Sequence, residues 1–313
     1  MKRVVLTGGA GFIGSHLADE LVKRGYFITV LDDLSSGQLQ NLEALQSSSK
    51  EIEFIQGTIT DLSLLQDLFR GSLYIFHQAA IPSVPRSIED PASSHEVNLT
   101  GTLNVLIAAC DCGIKKVVYA SSSSAYGDTP TLPKHEDMVP HPQSPYAVTK
   151  LAGEYYCSVF QKAYGLSTAC LRYFNVYGPR QNPDSQYAAV IPKFVRSALN
   201  GDSPVIFGDG EQTRDFTFVK DVAQMNILAA EKEEVRGVFN VGTGESISIN
   251  QLAGLVVEIT GKDVQTEHLP ARTGDIKHSL ADISRAKKIG HTPKYDLRQG
   301  LTETIRATME TVP

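Results

Sequence analysis

The sequence predicts an α/β fold, in which a doubly wound parallel sheet is combined with a smaller, interleaved α+β cap. Three observations predict it. Over the first 175 residues, short β-branched runs alternate with longer helical patterns, as in a parallel sheet wound with helices. Most of those runs are apolar throughout, as expected for strands that helices cover on both faces. After Asn175 the alternation loosens and prolines interrupt the chain, which predicts a less regular part.

Six strands and four helices are predicted in the first part. The strand candidates are Arg3–Leu6, Phe27–Leu31, Ile52–Gln56, Leu73–Gln78, Lys116–Ala120 and Thr168–Tyr173. The helical patterns between them lie at about 12–24, 61–69, 91–112 and 145–163. In a doubly wound sheet the ligand crevice lies outside the carboxyl ends of the strands, so functional residues are expected there.

The second part predicts a cap that leaves the main sheet and returns to it. The predicted elements are a helix at about 190–200, strands at Val205–Phe207 and Phe216–Val219, a helix from Asp221, a buried strand at Val238–Val241, a helix at about 249–260, an extended piece at 264–269 and helices near 282–288 and 297–309. The main domain is therefore predicted to comprise residues 1–175 plus about 221–245. The cap is predicted to comprise about 176–220 and 246–313.

Composition and charge limit the function classes. A formal net charge of -6 and a pI near 5.8 argue against nucleic acid as a partner, because phosphate binding needs a basic face. No apolar run approaches the roughly 18–20 residues of a membrane span, and the first apolar run is too short for a signal peptide, so a cytoplasmic location is expected. The cysteines have no histidine beside them at metal-ligand spacing. We expect four free thiols and no bound metal.

A glycine motif follows the first predicted strand and opens a helix. It reads Thr-Gly-Gly-Ala-Gly-Phe-Ile-Gly over residues 7–14. Gly8 permits a tight turn, and Gly11 lets the backbone approach a pyrophosphate at the helix N-terminus. The next strand ends in Asp32-Asp33, where a carboxylate accepts hydrogen bonds from the adenosine ribose and repels a 2′-phosphate. The sequence therefore predicts a Rossmann-type NAD site, with NAD favoured over NADP because no Arg or Lys occurs between Arg24 and Lys50.

A Tyr-x-x-x-Lys pair, Tyr146 and Lys150, supplies candidate catalytic groups. Such a short motif also occurs by chance, but Ser144-Pro145 before it is typical of a helix start, which places both residues on one face of the first turns. An ammonium beside the phenol and a cationic nicotinamide ring are expected to lower the pKa of the tyrosine, which makes it a usable base. A serine run over residues 121–124 follows the fifth predicted strand, where a hydroxyl can share the moving proton.

These motifs, with the spacing Gly-x-x-Gly-x-x-Gly and the segment Arg172–Arg180, resemble the nucleotide-sugar epimerase/dehydratase branch of the extended short-chain dehydrogenase/reductases. The resemblance covers nearly the whole chain. Segments 81–87, 187–193 and 207–215 are similar to the UDP-N-acetylglucosamine 4-epimerase subgroup. The resemblance implies an NAD-dependent enzyme, with Ser122, Tyr146 and Lys150 as catalytic residues.

The resemblance also implies two sets of binding residues. The cofactor contacts would be Gly8, Gly11, Phe12, Ile13, Asp32, Asp33, Ser36, Gly37, Thr58, Ile59, Gln78, Ala79, Ala80, Tyr146 and Lys150. The substrate contacts would be Ser83, Arg86, Ser122, Ser123, Ser124, Asn175, Ala189, Val190, Arg214, Arg272, Asp275 and Ser279. One position departs from the family pattern, because Thr58 stands where an acidic residue usually contacts adenine, although Asp61 follows closely.

The reaction is predicted from what the serine run lacks. Dehydratases of this branch carry an Asp-Glu pair after the catalytic hydroxyl, and Ser123 and Ser124 stand at those positions here. The resemblance therefore favours C4 epimerisation, in which hydride leaves the sugar for NAD, a 4-keto sugar turns over, and hydride returns to its other face. Arg214 and Arg272 are candidate clamps for the diphosphate of a UDP group, and the alternative for each is a surface ion pair.

Ser279 favours one sugar. Epimerases restricted to glucose and galactose carry a bulky residue there, and a small one leaves room for a 2-N-acetyl group, so UDP-GlcNAc/UDP-GalNAc is the first expectation. The alternatives are a UDP-glucose or UDP-glucuronate 4-epimerase and, more remotely, a UDP-glucuronate decarboxylase or a non-catalytic NAD-binding regulatory protein. Ser279 is otherwise an ordinary turn serine. The resemblance also implies a homodimer, in which the helices at about 91–112 and 145–163 would pair with their copies as a four-helix bundle. Four apolar residues permit this pairing, and they are Leu103, Leu106, Tyr155 and Phe160. The alternative is that these residues pack on the sheet.

Overall fold

The structure, a computed structural model, describes residues 2–182, 189–271 and 277–311. Its strands are β1 (Lys2–Thr7), β2 (Tyr26–Asp32), β3 (Ile52–Gln56), β4 (Tyr74–His77), β5 (Lys116–Ser122), β6 (Thr168–Tyr173), β7 (Val176–Tyr177), β8 (Val205–Phe207), β9 (Thr213–Arg214), β10 (Thr217–Phe218), β11 (Gly237–Val241), β12 (Ile247–Ser248) and β13 (Glu267–Leu269). Its α-helices are α1 (Phe12–Lys23), α2 (Gln40–Ser48), α3 (Leu62–Phe69), α4 (Val84–Glu89), α5 (Pro91–His95), α6 (Gly101–Asp111), α7 (Pro145–Tyr164), α8 (Val190–Asn200), α9 (Val219–Glu231), α10 (Ile249–Thr260), α11 (Ser284–Lys288) and α12 (Leu297–Thr311).

Seven strands form the main sheet in the order β11-β6-β5-β4-β1-β2-β3. The recorded pairings from β6 across to β3 are parallel, and the order reverses between β1 and β4. This is the predicted doubly wound α/β fold, and the predicted strand at Val238–Val241 does return to the sheet, as β11. Ligands bind such sheets at the strand carboxyl ends near the reversal.

The core of the first unit lies between the sheet and its helices. Its members come from several strands and from α3, α6 and α7, and all are buried. They include Val5, Ile75, Val117, Tyr119, Leu65, Phe69, Leu106, Cys157 and Phe160. Apolar residues on both faces of a strand explain why the strand sequences read as continuous apolar runs.

The chain divides into two compact units. The first comprises Met1–Gly127, Val139–Tyr173 and Val222–Phe239, and the second comprises Asp128–Met138, Phe174–Asp221 and Asn240–Pro313. The second unit thus includes the segment Asp128–Met138, which the sequence analysis placed with the main domain.

Several predicted elements differ from the observed ones. The helix expected at about 91–112 is α5, a π-helix at Glu96–Thr100 and α6 in succession. The short helices α2 and α4 were not predicted, because α2 is largely polar and exposed and α4 follows a proline-containing loop-like segment. In the second unit, the two-residue strands β7, β9 and β12 are too short to leave a periodic pattern.

Two predicted absences can be compared with the described residues. Over the described ranges, no helix is long and apolar enough to cross a membrane. Within the same ranges, no cluster of His, Cys, Asp and Glu side chains is arranged to hold a metal ion. All four cysteines are free thiols, as predicted.

Candidate active site

The glycine turn lies at the carboxyl end of β1, next to the point where the strand order reverses. Gly8 has a φ of +72°, and a Cβ there would lie 2.6 Å from the Ala79 amide nitrogen, so only glycine fits. Helix α1 begins at Phe12, and its N-cap residue, Gly11, gives it no side-chain cap. The first amides of α1 are therefore available to an anion, as a pyrophosphate site requires.

Asp32 ends β2 and is tied to this turn. Its carboxylate accepts hydrogen bonds from the Ala10 amide at 3.0 Å and the Leu34 amide at 2.9 Å. Burial raises the pKa of Asp32, and these backbone hydrogen bonds oppose the rise. A Cβ at Gly37 would lie 2.8 Å from the same carboxylate, so residue 37 must be small to approach it. The arrangement leaves a fixed, buried carboxylate at the place where a dinucleotide fold holds the adenosine ribose.

The other predicted cofactor residues of the first unit differ in exposure. Asp33 and Ser36 are exposed, whereas Ile59 is buried. Thr58 is hydrogen-bonded to Thr60 through their hydroxyls at 3.0 Å. Asp61 caps α3 by accepting a hydrogen bond from the Leu64 amide, so its carboxylate stabilises the start of that helix.

The loop after β4 carries the next group of predicted cofactor residues. The Gln78 amide donates to Asn226 Oδ1 at 3.0 Å and accepts from the Tyr173 hydroxyl at 3.1 Å. The Ala79 amide donates to the Thr7 hydroxyl at 3.3 Å, and Ala80 follows it in the same partly buried loop. Side-chain bonds from three elements thus fix the backbone beside the glycine turn.

Helix α7 brings Tyr146 and Lys150 to the end of β5. Ser144 caps the helix by accepting a hydrogen bond from the Ala147 amide, and Pro145 stands in its first turn, as the sequence predicted. The Lys150 ammonium donates to the Ala120 carbonyl at 2.8 Å and lies 5.9 Å from the centre of the Tyr146 ring. The strand end and the helix start are therefore joined at the predicted catalytic pair.

Burial shifts the pKa of both members of this pair in the protein without its cofactor. Burial raises the pKa of Tyr146, and a hydrogen bond with the Ser122 hydroxyl opposes the rise. Burial also lowers the pKa of Lys150 to about 7, because desolvation disfavours its ammonium. The predicted lowering of the tyrosine pKa depends on a cationic nicotinamide ring beside the phenol, so it stays a prediction for the NAD-bound protein.

The predicted serines of the strand end lie together. Ser122 ends β5, and its hydroxyl accepts a hydrogen bond from the Ser124 amide at 3.1 Å in the 3-10 helix Ser123–Tyr126. Among the described residues, the buried Ser124 hydroxyl oxygen has no hydrogen-bond partner. A buried polar atom without a partner is costly, so a ligand hydroxyl at Ser124 would relieve that cost.

Ser83 and Arg86 open the short helix α4. The Ser83 hydroxyl caps that helix by accepting from the Arg86 amide at 3.1 Å, and the Arg86 side chain is exposed. Sequence reasoning missed Ser87 in the same helix, whose hydroxyl accepts from the Tyr146 amide at 3.0 Å. A serine in an unrecognised six-residue helix gives no signal in the sequence.

Asn98 is a second residue that sequence reasoning missed. It is buried in the π-helix, and its amide group accepts from the Ile81 amide at 2.7 Å and donates to the Ile81 carbonyl at 3.2 Å. It also donates to the Thr149 hydroxyl at 3.4 Å, which itself donates to the Tyr146 carbonyl. A π-helix often marks a functional site, and the available signal was an asparagine inside an otherwise helical pattern.

The second unit contains a cavity of about 270 Å³. Four predicted substrate residues line it, and four aromatic side chains complete much of its wall. The predicted residues are Asn175, Ala189, Val190 and Arg214, and the aromatic ones are Tyr177, Phe194, Phe207 and Phe216. A mainly apolar cavity with a few polar groups suits a planar base, and the arginine suits an anionic group beside it.

A buried aspartate holds the backbone around this cavity. The Asp215 carboxylate accepts from the Thr243 amide at 2.8 Å, the Thr243 hydroxyl at 2.7 Å, the Gly244 amide at 3.0 Å and the Ala281 amide at 3.2 Å. Its own carbonyl accepts from the Asn175 side chain at 2.9 Å. Burial raises the pKa of Asp215 against the effect of these hydrogen bonds.

Arg214 and Ser279 lie on neighbouring segments. The Arg214 guanidinium donates to the Thr213 carbonyl at 2.9 Å and to the Lys277 carbonyl at 3.2 Å. The Ser279 amide donates to that same Thr213 carbonyl at 3.1 Å. Arg272 and Asp275, the other predicted substrate residues, lie outside the described residues.

Comparison with known proteins identifies the family. The model of the NAD-dependent epimerase/dehydratase family matches residues 4–242. The chain belongs to this family. A curated relative, the UDP-glucose 4-epimerase of Mycolicibacterium smegmatis, is 40% identical over 307 residues, which cover 97% of each chain. The fold, the family resemblance and NAD as cofactor are thereby confirmed, and the chain is an NAD-dependent enzyme.

Three solved structures resemble this member of the family over 99% of its length. The UDP-N-acetylglucosamine 4-epimerase of Methanobrevibacter ruminantium, in complex with UDP-N-acetylmuramic acid, is 43% identical with a TM-score of 0.96 and is covered over 99% of its chain. The UDP-glucose 4-epimerase of Thermotoga maritima with UDP-glucose is 40% identical with a TM-score of 0.94, and that of Thermus thermophilus with NAD is 36% identical with a TM-score of 0.90. Both of these are covered over their whole chains.

Proposed function

We propose that UDP-GlcNAc and UDP-GalNAc are the preferred substrate pair of this NAD-dependent UDP-sugar 4-epimerase. The observation that carries the proposal is the small side chain of Ser279, whose backbone is bonded to Thr213 beside the cavity residue Arg214. A small residue at this position leaves volume for a 2-N-acetyl group. The similarity to the Methanobrevibacter ruminantium enzyme supports the same choice.

In the proposed mechanism, Tyr146 takes the proton from the sugar O4 and later returns it. Ser122 is hydrogen-bonded to Tyr146, so its hydroxyl can share that proton during the transfer. Lys150 is fixed by the Ala120 carbonyl near the tyrosine ring, and its ammonium stabilises the phenolate that the transfer produces. When bound, NAD would supply the hydride acceptor for the sugar C4 and the hydride donor for the 4-keto sugar.

The proposed binding residues divide between the two units. The glycine turn, Asp32 and the loop after β4 would hold NAD. In the second unit, the cavity would take the uracil base, with Arg214 on the diphosphate. In the first unit, the Ser124 hydroxyl would contact the sugar. An enzyme that turns over a bound sugar must hold the nucleotide firmly and the sugar loosely, and apolar walls with one arginine provide such a hold on the nucleotide.

UDP-glucose is the second candidate substrate. The relatives from Mycolicibacterium smegmatis and Thermotoga maritima, each 40% identical, are UDP-glucose 4-epimerases. A UDP-glucuronate 4-epimerase from Thermodesulfobacterium geofontis is 36% identical over the whole chain. Serine at position 279 is compatible with these smaller or differently substituted sugars, so their relative rates must be measured.

The deciding experiment compares UDP-GlcNAc, UDP-glucose and UDP-glucuronate as substrates, with products resolved by NMR. We expect the parent protein to prefer UDP-GlcNAc in kcat/KM. Ser279→Tyr should lower kcat/KM for UDP-GlcNAc at least ~10-fold and leave that for UDP-glucose within about threefold, since a clash is selective for the larger group. Ser47→Tyr, on the exposed face of α2, is the matched control. A parent enzyme that turns over only UDP-glucose or UDP-glucuronate would contradict the substrate proposal, and one inactive on all three would favour the non-catalytic NAD-binding protein.

We also propose a homodimer through the exposed face of α7. Val148, Tyr155 and Val159 lie on that face and are 50%, 57% and 53% exposed. Two of the four residues suggested from the sequence, Leu106 and Phe160, pack in the core instead. Light scattering should give twice the chain mass for the parent protein, and a Val159→Glu variant that remains dimeric would contradict this surface.

A further inference from the structure

In the first unit, a buried ion pair lies next to the predicted catalytic residues. Arg172 of β6 donates from Nε to Glu154 Oε1 at 2.8 Å and from Nη2 to Oε2 at 2.7 Å. Ser121 of β5 donates its hydroxyl to the same Glu154 Oε1 in a short hydrogen bond. The three side chains are no more than 4% exposed. One carboxylate thus ties α7 to two adjacent strands of the sheet.

Each member of this network is adjacent to a group of the proposed site. Glu154 lies four residues after Lys150 and eight after Tyr146, so the three occupy one face of α7. Ser121 directly precedes Ser122 in β5. The Arg172 guanidinium also stacks over the Tyr126 ring, 4.5 Å from its centre, in the 3-10 turn that begins at Ser123.

Stability alone is a poor explanation for such a pair. Desolvating two charges costs several kcal/mol per ion, and apolar replacements of similar volume are often neutral or stabilising. What a bidentate arginine–carboxylate pair provides is geometry, because two parallel hydrogen bonds fix both distance and angle. The geometry fixed here is that between the strand end with Ser122 and the helix turns with Tyr146 and Lys150.

We propose that Glu154 and Arg172 are positioning residues, which hold Ser122 and the Tyr146–Lys150 turns at the spacing that proton transfer needs. The inference rests on the proposed function, since it assigns these groups to the chemistry. Proton transfer requires hydrogen-bond distances, and a displacement of about 1 Å costs on the order of 100-fold in rate. Neither residue touches the substrate in this proposal, so it predicts a change in kcat with little change in KM.

The first test is Arg172→Lys, which keeps the positive charge and loses the planar fork. We expect kcat to fall at least tenfold, with KM and the dissociation constant of NAD within about twofold of the parent values. Rates are taken per NAD-bound protomer and well below the melting temperature of each variant, so that partial unfolding does not enter them.

Arg298→Lys is the control, because Arg298 also pairs with a glutamate: its Nη2 donates to both carboxylate oxygens of Glu258, at 2.9 and 2.8 Å. That pair is exposed, with 56% and 63% of the two side chains accessible, and it joins α12 and α10 in the second unit. The kcat of Arg298→Lys should equal that of the parent protein. A fall in the control as large as that in Arg172→Lys would assign the effect to loss of any arginine–glutamate pair and overturn the proposal.

A milder variant covers the case in which Arg172→Lys does not fold. Ser121→Ala removes one hydroxyl and leaves the ion pair, and we expect kcat to fall about three- to tenfold at constant KM. If the folded variants lose melting temperature but keep kcat within twofold, or if only KM rises, the network is merely structural and the inference is wrong. Tyr146→Phe distinguishes a failure of this inference from a failure of the proposed function, because a fully active Tyr146→Phe variant would contradict the proposed function itself.

Discussion

In the first unit, the side chains predicted to move protons stand on long regular elements, whereas Asn175 and Arg214, two polar residues of the second unit's cavity, lie in a loop and in a two-residue strand. Tyr146 and Lys150 belong to a 20-residue helix, and Ser122 ends a seven-residue strand. Arg214 belongs to a two-residue strand, and the surrounding backbone depends on Asp215. The difference teaches that reaction geometry needs rigid elements, while the groups proposed to bind and select the substrate lie where backbone can vary at small cost to the fold.

The largest effect that would test this contrast is expected in the first unit. Tyr146→Phe removes the proposed proton acceptor, so kcat should fall by about 10³-fold or more while the melting temperature stays near that of the parent protein. The measurement is epimer formation by NMR together with thermal unfolding. Tyr164→Phe, at the exposed end of the same helix, is the control and should be fully active. Activity near the parent level in Tyr146→Phe would contradict the assignment of proton transfer to Tyr146 on helix α7.

An intermediate effect is expected from Asp215 in the second unit. Asp215→Asn places an amide donor among three backbone donors and a hydroxyl, so we expect the free energy of unfolding to fall by about 2–3 kcal/mol. Because Asn175 and Arg214 flank this residue, KM for the UDP-sugar should rise severalfold with kcat changed less.

Urea unfolding and steady-state kinetics measure both effects. Asp209→Asn, in an exposed turn of the same unit, should leave them unchanged. A stable Asp215→Asn variant with a lower kcat and an unaltered KM would contradict the prediction, because it would link Asp215 to the reaction rather than to substrate binding.

The smallest effect is that of pH on the free energy of unfolding, and a histidine in each unit should contribute to it by a similar amount. Burial lowers the pKa of His77 in the first unit to about 3 and that of His291 in the second to about 4, against an ordinary value of 6.5. The unfolded chain therefore binds protons that the folded chain rejects, so stability is highest above pH 6.5 and falls as the pH drops towards those values. Between about pH 7 and pH 5 each histidine should account for a loss of about 2 kcal/mol.

Urea unfolding at the two pH values, repeated for His77→Gln and His291→Gln, measures how much each histidine contributes to the loss of stability. Each variant should lose about 2 kcal/mol less than the parent protein on acidification. Equal pH dependence in the parent protein and both variants would contradict the assignment to these histidines.

The sequence predicted the parts of the site that depend on local pattern. The start of α7 followed from Ser144-Pro145, the tight turn after β1 from its glycines, and the position of Asp32 from its place at the end of the second strand. Each of these signals lies within a few residues of the feature that it predicts. The same holds for the main sheet, whose buried strands are visible as apolar runs.

What the sequence did not predict depends on contacts between distant residues. Asp215 bonds to residues 28 to 66 positions away, and Glu154 and Arg172 look like ordinary surface charges until helix and strand pack together. The rise that burial causes in the pKa of Tyr146 was not predicted for the same reason, because burial is a property of the packed fold rather than of a five-residue motif.

The two hydrogen bonds from Ala10 and Leu34 to Asp32 also bear on how cofactor choice can change in evolution. The residue predicted to discriminate against a 2′-phosphate also holds the glycine turn in place, and Gly37 is packed against it. A single replacement of Asp32 would therefore loosen the turn before any gain in NADP binding. Selection for NADP use is expected to recover Asp32 changes only together with changes near Leu34 and Gly37, so a single substitution should not be enough to change the cofactor.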